Sequence, residues 1–421
     1  MLVFPCGSEI GLELHRSLAD STFVNLHGAS SASDHGRYVY ARYIGGLPFV
    51  DEPEFLDAIN RAIAEHRIDF LFPAHDSAVM LLAENEKRLR CRVLGSPVET
   101  CRICRSKRLT YKTFESLLRV PRVYGDVESV EIWPAFLKPD VGQGSRGAVL
   151  AQNREEARFL LAQDASRLLL EYLPGAEYTV DCFTDRHGHL RFAGARERVR
   201  ISGGISVNSH TVKDEAVERI ATAINGRLSF RGAWFFQLRQ SSGGELALLE
   251  IAPRVAGTAA LYRNLGVNLA LLTVFDAMGL DVEILRNNVD MEIDRALTNR
   301  FSTEIGYRHL YMDLDDSLIR DGKVHLLAVA LLYQALNNGV ELHLLTRHVG
   351  SVDELLERHR LKGMFHDIVH LGTSESKSEH IKHLDAVFID DSFAERASVS
   401  RTLGIPVFDL DAIESLLDWK R

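Results

Sequence analysis

The 421-residue chain lacks a basic surplus: Lys and Arg total 49 against 58 Asp and Glu, a net charge of −9. That balance excludes the electrostatic footprint of a nucleic-acid binder. Cysteine is scarce, five in all. An odd count, thinly spread, excludes a disulfide framework and points to reduced thiols. Cys101-Arg-Ile-Cys104 has metal-like spacing and Cys91 lies nearby, but no second CxxC or His pair completes a zinc set. Two thiols on one helix is the simpler reading. No apolar run approaches the roughly 20 residues that span a bilayer. The start, "MLVFPCGSEIGLEL", has no basic leader and reads as a first strand and helix, which predicts a cytoplasmic protein. Internal repeats and low-complexity segments are also missing.

What is present is length for about two to four domains and an apolar share of 46% for their cores. Residues 1–105 alternate apolar strands with helices: "LVFPCG", then "SEIGLELHRSLAD", then the amphipathic "PEFLDAINRAIAEHRI" before "DFLFPAHD". This is the βαβ rhythm of a parallel sheet. Residues 106–300 are α+β and more antiparallel. "WPAFLKPDVGQGSRGAVLA" reads as strand, glycine loop, strand. "RLLLEYLPGAEYTVDCFTD" and "FFQLRQSSGGELALLEIAPR" read as hairpins, the second through Ser-Ser-Gly-Gly. Arg286 to Thr303 is polar and weakly periodic, the expected connection to a third unit. Residues 306–421 return to βα rhythm: "HLYMDL", "VELHLLTR", "DIVHLG", "AVFIDD" and "PVFDL" alternate with helices that include "SKSEHIKHL" and "FAERASVSRTLG". Ligands of such sheets bind at the carboxyl ends of the strands. Asp313, Asp315, Thr346, Arg347, Asp390 and Asp391 fall at those ends.

Two constellations carry chemistry. In the first, Lys138 follows a strand and precedes Gly142, Gly144, Ser145 and Gly147. Glycines let backbone amides approach phosphate oxygens and a lysine neutralises them, although the loop is neither a P-loop nor a Rossmann fingerprint. Lys107 stands upstream before a helix. Glu171 ends an apolar strand, Glu177 follows, and Gln237 and Glu250 lie at the ends of two strands joined by a tight turn, with Arg254 just beyond. Acids on strands with basic groups nearby suit a Mg²⁺-bound triphosphate.

The order of these parts resembles the ATP-grasp superfamily, in the branch of carbamoyl phosphate synthetase and biotin carboxylase, over roughly residues 1–290. The resemblance implies a pre-ATP-grasp α/β domain followed by an ATP-grasp fold. It implies Lys107 and Lys138 on phosphates, backbone from Glu171 to Leu173 on adenine, Glu177 on ribose, Gln237 and Glu250 on Mg²⁺, and Arg254 on a reacting acyl phosphate. The implied activity is ATP-dependent ligation of a small carboxylate to an amine or related acceptor. One departure is Ala252, where the family commonly has a metal-binding Asn. The acceptor pocket is expected from "RERVRISGGISVNSH" and "RVAGTAALYRN". There Arg196, Arg198 and Arg200 at alternating strand positions share one side, either a substrate anion site or a solvated face.

The second constellation is Asp313 and Asp315 one residue apart at a strand end. One carboxylate can attack phosphorus while its neighbour exchanges protons with the leaving group. Thr346, Lys377 and Asp390-Asp391 follow in order. That order resembles the haloacid dehalogenase superfamily over about residues 306–421. It implies a Rossmann-like domain with Asp313 as nucleophile, Asp315 as acid/base, Thr346 on phosphate, Lys377 stabilising both, and Asp390 or Asp391 on Mg²⁺. Ser317 replaces the usual threonine. The intervals from Asp313 to Thr346 and on to Lys377 leave no room for a cap domain, so the open site suits a large phosphorylated substrate or needs another domain, with the ATP-grasp unit as candidate, for its lid. The expectation is a bifunctional ligase and phosphatase using ATP and Mg²⁺, without nucleic-acid or membrane partners, and with a homo-oligomer left open. A phosphatase regulated by nucleotide, and a nucleotide-responsive scaffold with both sites silent, stay open as alternatives.

Overall fold

The computed structural model describes residues 1–142, 144 and 146–420. They form two compact units, Met1–Leu297 and Thr298–Lys420. Among the described residues no helix is long and apolar enough to cross a membrane.

The first unit opens with a parallel sheet. Strands β1 (Leu2–Phe4), β2 (His27–Ala29), β3 (Tyr43–Ile44), β4 (Phe70–Pro73) and β5 (Arg92–Val93) run in the order β3-β2-β1-β4-β5. The central β1 is buried throughout, as expected of a parallel strand covered on both faces. Phe4, Phe55, Ile59, Ile63 and Leu71 fill one side, and Leu14, Leu18 and Tyr40 belong to the packing on the other.

A four-stranded antiparallel sheet follows. It comprises β6 (Val123–Tyr124), β7 (Ala135–Pro139), β8 (Val149–Ala151) and β9 (Arg167–Glu171), ordered β6-β9-β7-β8. A six-stranded antiparallel sheet comes next, with β10 (Glu177–Thr184), β11 (Leu190–Ser202), β12 (Ile205–Val212), β13 (Gly232–Gln240), β14 (Leu246–Ala252) and β15 (Glu292–Asp294). Its order is β14-β13-β10-β11-β12-β15. The sequence "RLLLEYLPGAEYTVDCFTD" is therefore not a hairpin. β9 pairs with β6 and β7, whereas β10 pairs with β11 and β13. The Pro174-Gly175 turn passes the chain from one sheet to the other. The hairpin through Ser-Ser-Gly-Gly does form, as β13 and β14. The expected connection 286–303 is partly structured, because β15 extends the large sheet beside β12.

The second unit is built on β16 (His309–Met312), a small hairpin of β17 (Ile319–Arg320) and β18 (Lys323–Val324), then β19 (Glu341–Thr346), β20 (Asp367–His370), β21 (Ala386–Ile389) and β22 (Val407–Phe408). The main sheet is parallel in the order β20-β19-β16-β21-β22. The runs in β16, β19 and β21 are nearly all buried. Leu310, Met312, Leu342, Leu344, Val387 and Ile389 meet the helix Leu326–Asn337 on one face. The helix Phe393–Leu403 stops at Gly404, whose φ of 68° lies in the left-handed region that glycine accepts freely. The helix expected over "SKSEHIKHL" is cut to Lys377–His380, because Ile381 turns extended and buries its side chain.

Candidate functional site

In the first unit, elements distant in sequence line one cleft. Lys107, Lys138, Gly142, Gly144, Glu171, Leu173, Glu177, Gln237 and Glu250 all border it. Ser145 lies outside the described residues.

Lys107 opens the helix Lys107–Phe114, whose N-cap Ser106 accepts the Leu109 N–H. Its Nζ donates to the Asp140 carbonyl at 3.2 Å. Lys138 comes from β7, and its Nζ sits 3.5 Å from the Leu249 carbonyl and 5.6 Å from the Tyr111 ring centre. Burial lowers the Lys138 ammonium to about 8, with the Glu250 and Glu177 charges opposing the shift. Burial likewise lowers Lys107, opposed by Glu250 and reinforced by Lys138 and Arg105. Two desolvated cations held near each other form a pocket prepared for an anion.

Glu171 ends β9. Its carboxylate is taken by Arg119 at 2.5 and 2.6 Å and by the Arg122 N–H at 3.1 Å. Glu171, Tyr172 and Leu173 all border the cleft. Glu177 begins β10 and pairs with Arg198, with Arg239 at 3.5 Å. Gln237 and Glu250 are direct partners across β13 and β14, so their side chains share one face of the sheet. A carboxylate beside an amide oxygen is a donor set that a hard divalent cation accepts.

Arg254 and Ala252 lie in an adjoining cleft with Asp76 and Arg105, which shares Lys107, Gly142, Gly144 and Glu250 with the first. The Arg254 guanidinium forks onto Asp76, Nε to Oδ1 at 2.6 Å and Nη2 to Oδ2 at 2.8 Å. Ala252 packs with Phe235 and Ala256 and supplies no side-chain oxygen.

The three arginines of β11 do not act as one face. Arg196 is buried against Asp181 at 2.8 Å, Arg198 reaches Glu177 and the Gly204 carbonyl, and Arg200 is exposed with Asp294 at 2.7 Å. A register shift between Arg198 and Arg200 breaks their alternation. Of the three only Arg198 lines the cleft, and Arg239, which carries no motif signal in the sequence, lines it too. Cys101 and Cys104 are buried free thiols on the helix Val98–Arg105, and burial raises both.

In the second unit the carboxyl ends of β16, β19 and β21 meet where strand order reverses about β16. Asp313 follows β16, Thr346 ends β19 and Asp390 follows β21. Lys377 Nζ donates to Asp313 Oδ1 at 2.5 Å and to Asp390 Oδ2 at 2.6 Å. Burial, joined by Asp390, raises the Asp313 carboxyl to about 6 against the pull of Lys377. Burial would lower Lys377, yet the two carboxylates outweigh it and hold the ammonium above its ordinary value.

Carboxylate oxygens of Asp313, Asp390 and Asp391 lie within 4.8 Å of one another. This all-oxygen set fits a hard divalent cation. Ser317 donates toward Asp391 at 3.4 Å and accepts the Asp391 N–H at 3.1 Å. Thr346 is buried, and its hydroxyl accepts the His348 N–H at 3.0 Å. Asp315 is half exposed, and His348 Nδ1 stands 2.9 and 3.0 Å from its two oxygens. His348 carries no motif signal in the sequence; only its position two residues past Thr346 hints at this placement.

Comparison with known proteins bears on the first unit. Residues 163–296 match the family model described as ATP-grasp in the biosynthetic pathway with Ter operon. A stretch of 87 residues is 32% identical to a D-alanine–D-alanine ligase of Fusobacterium nucleatum, covering 20% of this chain and 30% of the ligase. The match thus spans under a third of that relative. The biotin carboxylase domain of Hydrogenobacter thermophilus 2-oxoglutarate carboxylase, solved with MgADP, ADP and bicarbonate, is similar with a TM-score of 0.55 and 16% identity. That similarity covers 69% of this chain and 73% of the domain. An L-amino acid ligase from Bacillus licheniformis gives a TM-score of 0.52 at 17% identity, over 66% of this chain and 73% of that one. The chain carries an ATP-grasp fold of the biotin carboxylase type.

Proposed function

We propose that this protein is an ATP-dependent ligase joined to a Mg²⁺-dependent phosphatase. The ligase phosphorylates a small carboxylate with ATP and transfers the acyl group to an amine or related nucleophile. The observation that carries this reading is the convergence of Lys107, Lys138, Glu177, Gln237 and Glu250 on one cleft. The ligase and biotin carboxylase relatives described above support the same reaction class.

Lys107 and Lys138 neutralise the triphosphate of the substrate ATP. Backbone groups at Glu171–Leu173 receive adenine, and Glu177 receives the ribose hydroxyls. Gln237 and Glu250 hold Mg²⁺, which offsets phosphate charge when bound. The carboxylate oxygen attacks the γ-phosphorus, the bond to the bridging oxygen breaks, and ADP leaves. Arg254, braced by Asp76, retains N–H donors on both terminal nitrogens for the acyl phosphate.

In the second unit, a haloacid dehalogenase-like site of residues 306–420, Asp313 attacks phosphorus and forms an aspartyl phosphate. Asp315 donates a proton to the departing oxygen and then takes one from the attacking water. Phosphate leaves and Asp313 is restored. Lys377 balances the buried carboxylates, and the Thr346 hydroxyl holds a phosphate oxygen. Asp313, Asp390 and Asp391 hold Mg²⁺, which reduces repulsion between two anions. The phosphatase trims a phosphorylated substrate or product of the ligation.

Ala252 favours a second reading, in which the first unit binds nucleotide and regulates the phosphatase without turnover. A screen of carboxylates and amines for ADP formation, run on wild type and Asp313→Asn, separates the two. ADP release that needs both co-substrates supports the ligase. ATP binding that changes phosphatase rate without ADP release supports the second reading.

A further inference from the structure

A cluster of imidazoles lies at the end of the second unit's sheet opposite to Asp313. β16 begins with His309, β19 carries His343, and His383 lies just before β21. The strand register pairs Tyr311 with His343 and His343 with Asp367. Side chains two apart on a strand share a face, so His309, Tyr311, His343 and Asp367 are all presented on one side.

Ring nitrogens of His309, His343 and His383 fall within 4.8 Å of one another. His309 Nδ1 is 3.1 Å from His343 Nε2. Two imidazole nitrogens on one tetrahedral zinc, each about 2.0–2.1 Å from it, stand roughly 3.3 Å apart. His343 is buried, and its other nitrogen, Nδ1, faces Asp367 Oδ2 at 3.2 Å. A carboxylate on the far nitrogen is the usual brace of a metal-binding histidine: it fixes the tautomer and leaves the near nitrogen its lone pair. Acidic groups surround the cluster further, with Glu341 Oε2 at 3.5 Å from His309 Nδ1 and Asp385 Oδ1 at 3.8 Å from His309 Nε2.

A ring stack accounts for part of this packing. His309 and His383 lie parallel with centres 3.6 Å apart, and Tyr311 stacks on His343 at 4.4 Å. In the metal-free protein the His309 Nδ1–H can donate to His343 Nε2, the nitrogen whose lone pair the Asp367 contact leaves free, and that same lone pair is the one a metal takes. We propose that His309, His343 and His383 form a binding site for a transition-metal cation of the Zn²⁺ class, with the Glu341 carboxylate or a solvent oxygen as fourth ligand. The His383 ring must rotate out of its stack to aim its lone pair at the shared ion. The bound ion ties the starts of β16 and β19 to the segment entering β21. The site is distinct in chemistry from the all-carboxylate cluster at the other strand ends, which selects a harder ion.

The test uses the full chain, stripped with chelator and titrated with Zn²⁺ in excess Mg²⁺. Calorimetry is expected to show one high-affinity Zn²⁺ per chain, with a rise in melting temperature. His383→Asn is expected to weaken binding by about tenfold or more, and Asp367→Asn by about tenfold. Asp391→Asn, which depletes the carboxylate cluster, is expected to leave the stoichiometry intact. His383 precedes its strand, but His383→Asn also removes the stack on His309, so the readout is the Zn²⁺-induced rise in melting temperature relative to the variant's own metal-free curve, which is expected to be lost. Co²⁺ provides a spectroscopic check, because four-coordinate nitrogen ligation gives intense visible bands and carboxylate–water ligation gives weak ones. Zn²⁺ affinity unchanged in His383→Asn, no Zn²⁺ bound by wild type, or only weak Co²⁺ bands would overturn the proposal.

Discussion

Arg254 is held by Asp76 through two parallel hydrogen bonds of 2.6 and 2.8 Å, although 178 residues separate them. Asp76 opens a helix after β4, and Arg254 follows β14. The pair therefore fastens the parallel sheet to the large antiparallel sheet at the edge of the proposed ligase site. Asp76→Ala leaves the guanidinium without its partner. Because both side chains retain some solvent contact, the expected loss is about 2 kcal/mol, below that of a fully buried pair. Arg254→Lys keeps the charge but loses the planar fork. Urea melts are expected to show the first effect, and ADP formation is expected to fall in both variants. A melt of Asp76→Ala identical to wild type would show that the pair contributes nothing to stability.

Much of the first cleft was legible because its residues sit at marked boundaries. Lys138 precedes a glycine loop, and Gln237 and Glu250 flank a Ser-Ser-Gly-Gly turn, although a register shift between that turn and the pair, not the turn alone, makes them partners. Arg239 was hidden, and Arg198 could not be told from Arg196 and Arg200, because a basic residue on a strand looks the same whether it meets solvent or a cleft. The shift that separates Arg200 from Arg198 has no glycine or proline to announce it. Asp76 was missed because nothing local connects it to Arg254. Pro174-Gly175 reads locally as a hairpin turn, and only the pairing partners of β9 and β10 show that the chain changes sheets. In the second unit, the ordered carboxylates were visible as motifs. The histidine cluster was not, because its members come from three separate segments and meet only through strand register.

Lys377 lies between Asp313 and Asp390 and makes short contacts to both. Asp313→Asn keeps an oxygen for Lys377 and removes the anionic nucleophile. Phosphatase turnover is expected to drop by at least about 10³-fold, while the melting curve and ATP binding stay close to wild type. Lys377→Met instead strands two buried carboxylates and is expected to cost roughly 3 kcal/mol of stability. Phosphatase assays and denaturant titrations on the two variants check this division. Full activity in purified Asp313→Asn would remove Asp313 as nucleophile.

His348 touches both oxygens of Asp315 and is expected to position that carboxylate without contacting phosphorus. His348→Ala should lower kcat by about tenfold with little change in KM. The effect should vanish in an Asp315→Asn background, because the residue it positions no longer exchanges a proton. A double-mutant cycle reads this directly. Additive losses would mean that His348 acts on substrate independently of Asp315.

Lys138 is expected to give opposite pH responses in stability and in the proposed nucleotide binding. Burial takes its ammonium from 10.5 to about 8 in the folded protein. Below about 8 both folded and unfolded chains carry the proton, and the folded state bears the full desolvation cost. Between about 8 and about 10.5 the unfolded chain still binds a proton that the folded chain has released. Stability of the ligand-free protein from this group therefore rises with pH across that window, by on the order of 3 kcal/mol when complete. Thiols and phenols titrate in the same range, so the measurement is the difference between wild type and Lys138→Met. The variant is expected to be more stable than wild type near neutral pH, with the gap closing as pH increases. ATP affinity follows the charge in the other direction. It should weaken as pH rises through about 8 in wild type, and should be weaker and nearly flat in Lys138→Met. Calorimetric titration of ATP at several pH values distinguishes this from a purely structural lysine, which would leave the two profiles parallel.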